Sequence, residues 1–195
     1  MNDVNGTDTR LTAGATGSAP ALELRPWGPA DLEDLLVAAH DEEIHRWTRF
    51  AVRDRAGAVE WIEEQRAGRR AGDRFAFSVR ESVPEPSGSG SPGPLLGHVV
   101  VKGLAPASAT GEVGYWTLSA ARGRGVASRA LDAVSAWAFD AFADRGLVRL
   151  RLFHRRDNDA SCRVAVKGGY AQMSEVPAAP PEHPLPGHLH LRSRD

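Results

Sequence analysis

The hydrophobic positions of this chain change period several times, and each change marks a predicted element. Over residues 31–41, Leu32, Leu35, Leu36 and Ala39 recur at three- and four-residue spacing, which predicts a helix with one apolar face. Residues 54–71 repeat the pattern with Ala58, Trp61, Ile62 and Gln65 and are otherwise solvated. From 74 to 81 the period drops to two. Phe75, Phe77 and Val79 alternate with Ala76, Ser78 and Arg80, as in a half-buried strand. Residues 95–104 read as the next strand, and no helical period lies between the two, so they are expected to pair antiparallel. The joining run from Pro84 to Pro94 is Pro, Gly and Ser with one Glu, too poor in apolar groups to order itself. We therefore expect a flexible loop at about 82–94 inside one domain, not a linker between two.

Further along, residues 111–118 (Gly-Glu-Val-Gly-Tyr-Trp-Thr-Leu) are aromatic and β-branched, as a strand would be. Val126, Ala130, Leu131, Val134, Trp137, Ala138 and Phe142 then sit at helical spacing. Residues 148–153 read as a strand. A helix should follow, with Asn158 as its N-cap and Gly168 or Gly169 as its stop. A Pro-rich stretch over 176–186 leads to a last alternating run over 188–191. Residues 1–20 are rich in Gly, Thr, Ser and Asn, lack the apolar run of a signal peptide and are expected to be a disordered tail. That leaves 21–195 as one domain, without internal repeats.

The segment 121–129, Ala-Arg-Gly-Arg-Gly-Val-Ala-Ser-Arg, joins the 111–118 strand directly to a helix N-terminus. Such a terminus offers unpaired N–H groups and the positive end of the helix dipole, both of which attract an anion. Gly123 and Gly125 allow close backbone approach, and Arg122 and Arg124 add donors suited to phosphate oxygens. A P-loop does not fit, because no Lys follows Gly125. A dinucleotide fingerprint does not fit either, because Ser128 stands where its third small residue belongs.

What does fit is Arg122-x-x-Gly125-x-Ala127, which resembles the (Gln/Arg)-x-x-Gly-x-(Gly/Ala) acetyl-CoA loop of the GNAT acyltransferase superfamily. The segment Asn158-x-x-Ser161 through Val164-Ala-Val-Lys167-Gly-Gly169-Tyr170 is similar to a second GNAT segment, in its RimJ/RimL-type branch. Leu22-Glu-Leu-Arg25-Pro26-Trp27 with Asp31 looks like that branch's opening strand and helix. Glu43-Ile-His-Arg-Trp47 and Val59-Glu-Trp61-Ile62 resemble its next two helical segments. The similarity runs collinearly over about 21–193. It implies an α/β (α+β) fold with a mixed, mostly antiparallel central sheet flanked by helices and splayed at the acetyl-CoA site.

Composition changes little in this picture. With 195 residues, 42% of them hydrophobic, the chain suffices for a single packed core. The net charge of −1 leaves no basic footprint for nucleic acid, and no apolar run approaches the roughly 20 residues of a membrane span. The single Cys162 excludes an intrachain disulfide and fits a reducing compartment, so a cytoplasmic location is expected.

The resemblance implies acetyl-CoA-dependent acetylation of a primary amine by direct attack on the thioester, with acetyl-CoA as co-substrate and no metal. The acceptor is a protein or peptide α-amino group or, alternatively, a small-molecule amine such as an antibiotic or polyamine. A non-catalytic acyl-CoA-binding sensor is the other class to separate, since Ala165 stands where many family members carry a Tyr. Dimers are common in such folds, and a homodimer is the assembly considered.

By this resemblance, Arg122, Gly123, Arg124, Gly125, Val126, Ala127 and Ser128 hold the diphosphate. The backbone of Trp116, Thr117 and Leu118 and the side chain of Asn158 meet the pantetheine arm. Glu112 is the candidate base, Ser161 the candidate partner of the leaving thiolate, and Trp47 and Phe50 candidate walls of the acceptor pocket. Arg163 and Lys167 read as a solvated helix face, with a CoA phosphate as the alternative. Residues 40–54 and 175–188 are assigned acceptor selectivity. His188-x-His190 puts two imidazoles on one strand face with no third ligand evident, and Cys162 reads as an inert thiol.

Overall fold

The computed structural model describes residues 9–17, 19–83, 92–105, 108–181 and 184–194. One open sheet of eight strands runs through them in the order β1 (Leu11–Ala13), β2 (Leu22–Pro26), β3 (Arg74–Glu81), β4 (Leu95–Lys102), β5 (Thr110–Thr117), β6 (Arg149–Arg155), β8 (Gly187–Ser193), β7 (Ala171–Val176). Every neighbouring pair is antiparallel except β5 and β6. That parallel pair needs a crossover, and α4 (Val126–Ala141) provides it. Between β2 and β3 come α1 (Leu32–Ala38), α2 (Glu42–Trp47) and α3 (Arg55–Ala71), and α5 (Asp159–Lys167) joins β6 to β7.

The helices divide between the two faces of the sheet. Val126, Ala130, Leu131, Val134 and Ala138 of α4 are buried against Phe75, Phe77, Val79, Val99, Val101 and Val113. On the other face, Leu35, Ala38, Ile44, Ala58 and Ile62 from α1 to α3 close over Ala76, Val100 and Trp116. Their starts follow the capping residues in the sequence. Asp54 accepts from the Gly57 N–H at 2.8 Å, and Asn158 accepts from the Ser161 N–H at 3.0 Å.

Three expectations change. The tail expected over 1–20 carries β1, whose Leu11 pairs with Leu24 of β2 and packs on the α4 side of the core; residues 1–8 and 18 lie outside the described residues. A three-residue strand has too few alternations to show a period. Strand β3 is buried on both faces because α3 packs on the side that the alternation assigned to solvent and Asp34 of α1 reaches Arg80 there. Ser78 and Arg80 are therefore interior, and Arg80 meets Asp31 and Asp34 at 2.6 Å each. Finally, β7 was not anticipated: its side chains are almost all exposed, so they show no alternation. Of the loop expected at 82–94, residues 84–91 lie outside the described residues.

Candidate active site

The site begins where the sheet comes apart. Strand β5 pairs with β6 only from Thr110↔Arg149 to Val113↔Leu152. Beyond Val113, β5 continues to Thr117 along β4 alone, while β6 continues along β8. The opening between them leads to the N-terminus of α4. There the N-cap, Gly125, has φ +71° and, as a glycine, brings no capping side chain, and Gly123 has φ +76°. A Cβ at Gly123 would meet nothing within 4 Å, so the left-handed backbone, more than space, is what calls for glycine there. The first N–H groups of α4 are thus left for an anion.

A cavity of about 320 Å³ fills this opening. Its wall comes from α2 (Glu43, Ile44, Trp47), from Thr48, from Tyr115–Thr117 of β5, from the loop and first turn of α4, and from Asn158, Ala160, Ser161, Arg163, Val164 and Lys167. Three cations, Arg122, Arg163 and Lys167, face one carboxylate, Glu43. That balance suits a polyanionic ligand. Arg163 and Lys167, read from sequence as a solvated helix face, therefore belong to the cavity wall.

Two hydroxyls meet inside it. Tyr115 Oη donates to Ser161 Oγ at 3.0 Å. Burial pushes the Tyr115 phenol up to about 12, so it stays protonated and remains a donor across the working pH range. Because Ser161 accepts from Tyr115, its own proton is free to point elsewhere. Sequence reasoning missed Tyr115. The signal was present in strand parity, since Tyr115 shares the Val113 face of β5, opposite Glu112 and Trp116. Glu43 was missed as well. Its sign was the i, i+4 spacing to Trp47, whose Nε1 donates to Glu43 Oε2 at 2.6 Å.

Of the residues expected here, Trp47, Trp116, Thr117, Arg122, Gly123, Gly125, Val126, Ala127, Ser128, Asn158 and Ser161 line the cavity. Glu112, Phe50, Arg124 and Leu118 do not. Glu112 lies near the start of β5, across from Lys102 of β4 and Arg151 of β6, and pairs with both, at 2.7 and 3.0 Å. Burial raises its pKa, but the Lys102 and Arg151 charges outweigh it and hold the carboxyl below its ordinary value. A carboxylate stabilised this way, away from the cavity, is a poor base.

Phe50 is buried in an aromatic group with Trp61 and Trp116, at 5.9 and 5.6 Å between ring centres, and serves as core. Arg124 pairs with Glu81 at 3.1 Å. Leu118 packs with the second core. The Arg122 guanidinium lies 2.7 Å from both oxygens of Asp41, which also accepts from the Ser119 N–H. Arg122 thus ties α2 to the loop, and its side chain is already engaged. Ala165 is fully buried, with no polar atom to offer in place of a tyrosine.

His188 and His190 do have further donors nearby. His154 lies across from His188 in the sheet, and Cys162 of α5 approaches His190. The expectation of a ligand pair without a third member fails, because β6 and α5 lie well before β8 in the sequence and meet it only on folding.

Comparison with known proteins accords with this geometry. The sequence profile of the Acetyltransferase (GNAT) domain matches residues 21–171. Among curated proteins, none matches by sequence. Solved structures similar to this chain include RimL, the ribosomal L7/L12 alpha-N-protein acetyltransferase, in complex with coenzyme A. It is 17% identical, with TM-score 0.75, covering 94% of this chain and 98% of that one. Mycobacterium smegmatis RimJ in complex with CoA-disulfide is 18% identical, with TM-score 0.74, covering 97% and 88%. The microcin C7 self-immunity acetyltransferase MccE, in complex with acetyl-CoA and AMP, is 15% identical, with TM-score 0.73, covering 89% and 92%. At such identities the likeness establishes the fold; the profile, spanning most of the sequence from β2 to the start of β7, establishes that the chain belongs to the GNAT acetyltransferase family.

Proposed function

We propose that this domain, a single unit from β1 onward, carries an acetyl group from acetyl-CoA to a primary amine, with a protein or peptide α-amino group as the acceptor. The observation that carries this reading is the opening between β5 and β6. It is bounded at one end by the uncapped α4 N-terminus and on its wall by the Tyr115–Ser161 pair. The residues fit the co-substrate's chemistry. Backbone N–H groups at Val126–Ser128 would hold the diphosphate, with Lys167 and Arg163 near enough to the cavity to add charge. The β5 edge at Tyr115–Thr117 would pair with the amides of the pantetheine arm.

A thioester is already activated, so what remains for the protein is to hold the amine, take its proton and stabilise the departing sulfur. Ser161 is the donor to sulfur, and Tyr115 positions it by donating to its oxygen. Glu43, the one carboxylate on the cavity wall among the described residues, takes the amine proton in the role expected of Glu112. An α-amino acceptor accords with the alpha-N-protein acetyltransferase among the structural neighbours. No helix among the described residues is long and apolar enough to cross a membrane, and the cytoplasm is the proposed location.

Calorimetry with acetyl-CoA, using ATP and NAD as controls, tests the donor; peptides with free N-termini, assayed by thiol release, test the acceptor. Ser161→Ala should lower kcat about 100-fold, the scale of a lost proton donor, and leave acetyl-CoA affinity nearly unchanged. Tyr115→Phe should cause a smaller loss of the same kind, because Ser161 keeps its proton. Equal losses in binding and turnover would mean that the pair only shapes the cavity.

The two carboxylates separate in the same assay. Glu43→Gln should lower kcat by about 100-fold or more, whereas Glu112→Gln should leave it within about twofold. The reverse order would restore Glu112 as the base.

A further inference from the structure

We propose that His154, Cys162, His188 and His190 form a zinc site that fastens α5 to β6 and β8. One donor atom from each of the four lies within 4.8 Å of every other. His154 Nε2 and His190 Nε2 are 3.1 Å apart, and Cys162 Sγ is 3.9 Å from His190 Nε2. With metal–nitrogen bonds of about 2.0–2.1 Å and a metal–sulfur bond of about 2.3 Å, the donors of a tetrahedral zinc site stand about 3.3–3.6 Å apart. These two pairs straddle that spacing, at 3.1 and 3.9 Å.

The hydrogen bonds around the rings point the same way. His154 Nδ1 lies 2.8 Å from the Arg155 carbonyl oxygen, and His190 Nδ1 lies 3.4 Å from that of Tyr170. A carbonyl oxygen can only accept, so a neutral ring that donates to it carries its proton on Nδ1 and a lone pair on Nε2. With both carbonyls satisfied in this way, two lone pairs face each other at 3.1 Å. A cation between them turns that repulsion into coordination.

The third imidazole has an orphan atom. Among the described residues, His188 Nδ1 is buried without a hydrogen-bond partner, while its Nε2 lies 3.8 Å from Glu175 Oε1. Zinc ligands ordinarily have this kind of outer partner, a carbonyl or carboxylate that fixes the ring and leaves the other nitrogen for the metal.

Three imidazoles and a thiolate, with no carboxylate among them, favour a borderline cation such as Zn²⁺ over Mg²⁺ or Ca²⁺. His190 is fully buried and His154 nearly so, but Cys162 and His188 are partly exposed and provide access. Cys162 follows Ser161 directly, so the metal would also steady the first turn of α5, where the proposed donor to sulfur sits.

The test uses the full chain, free of tags and freed of metal by a chelator, titrated with Zn²⁺ by calorimetry and with Co²⁺ by absorption. The expected result is one Zn²⁺ per chain. Co²⁺ should give the strong visible bands of four-coordination and a thiolate-to-cobalt charge-transfer band. Cys162→Ser should abolish that band, and His188→Asn should weaken Zn²⁺ binding at least about tenfold, the usual scale for a site that loses support. Zinc should also raise the Tm of the natural chain but not that of the Cys162→Ser/His188→Asn double variant. Both residues are partly exposed, so the double variant should fold, as circular dichroism will report. Absence of saturable binding, undiminished binding in the double variant, or a weak six-coordinate cobalt spectrum without a sulfur band would overturn the proposal.

Discussion

Gly125→Glu should weaken acetyl-CoA binding by at least about 100-fold while the chain still folds. Two effects combine. A phosphate at a helix N-terminus draws up to about 2 kcal/mol from the dipole and the free N–H groups. A tethered carboxylate at the N-cap of α4 would occupy that position itself and repel the incoming diphosphate. A total of about 3 kcal/mol corresponds to roughly two decades in Kd. The native φ of +71° adds about 1–2 kcal/mol of strain for any side chain with a Cβ, which appears as lost stability. Gly125→Ala separates the two, since it carries the strain without the charge. It should lose similar stability and keep most of its affinity. Calorimetry and urea melts on both variants decide the matter, and a glutamate variant that binds like the natural chain would remove the phosphate from this terminus.

Asp31→Ala should lower the unfolding free energy by about 3–5 kcal/mol, the cost of leaving buried charges unpaired. Asp31 is fully buried just before α1, and one of its oxygens accepts from both Arg25 and Arg80, the latter at 2.6 Å. Its other oxygen accepts from the Gly28 N–H at 2.9 Å. Arg80 is itself only 2% exposed and keeps Asp34 and the Gly93 carbonyl as partners. Removing Asp31 therefore leaves Arg25 without its main partner and Arg80 with an uncompensated share of charge. For a chain of this length each kcal/mol shifts Tm by roughly 2–4 °C, so a fall on the order of 10 °C is expected. Asp31→Asn keeps the shape and the bond to Gly28 and should lie between. A loss below about 1 kcal/mol would mean that Asp34 alone balances both arginines.

How much of this was legible in the sequence varies by element. The α4 face was, because of the seven apolar positions expected at helical spacing six are buried and Trp137 is partly so. The two glycines of the loop before α4 were, because a left-handed backbone selects glycine locally. Strand β3 was legible as a strand but not as an interior one. Alternation shows which side chains share a face, and only the packing of α3 and the reach of Asp34 from α1 decide that the second face is also covered. Arg80 is the clearest case, a charged residue at an alternating position that found its partners 46 and 49 residues earlier in the chain.

The catalytic assignments divide in the same way. Ser161 is legible in the family likeness of the Asn158-x-x-Ser161 segment, and the structure puts it on the cavity wall. Tyr115 meets Ser161 from 46 residues away, and although strand parity and the spacing to Trp47 marked Tyr115 and Glu43, only folding puts them on the cavity wall. Glu112 looked suitable from its strand position, but its fate rested on Lys102 and Arg151, which arrive from the neighbouring strands.

By itself, then, the sequence determined what is set by short-range steric and capping physics: the main helices and strands, the left-handed glycines before α4, and a family likeness carried by motifs in order. The tertiary structure alone decided what depends on burial and on pairing between distant segments. It determined which carboxylate faces the cavity, that the Tyr115 hydroxyl reaches Ser161, and that three histidines and a cysteine from β6, α5 and β8 share one space. Local conformation depends on neighbours in the chain, whereas desolvation and electrostatics depend on neighbours in space.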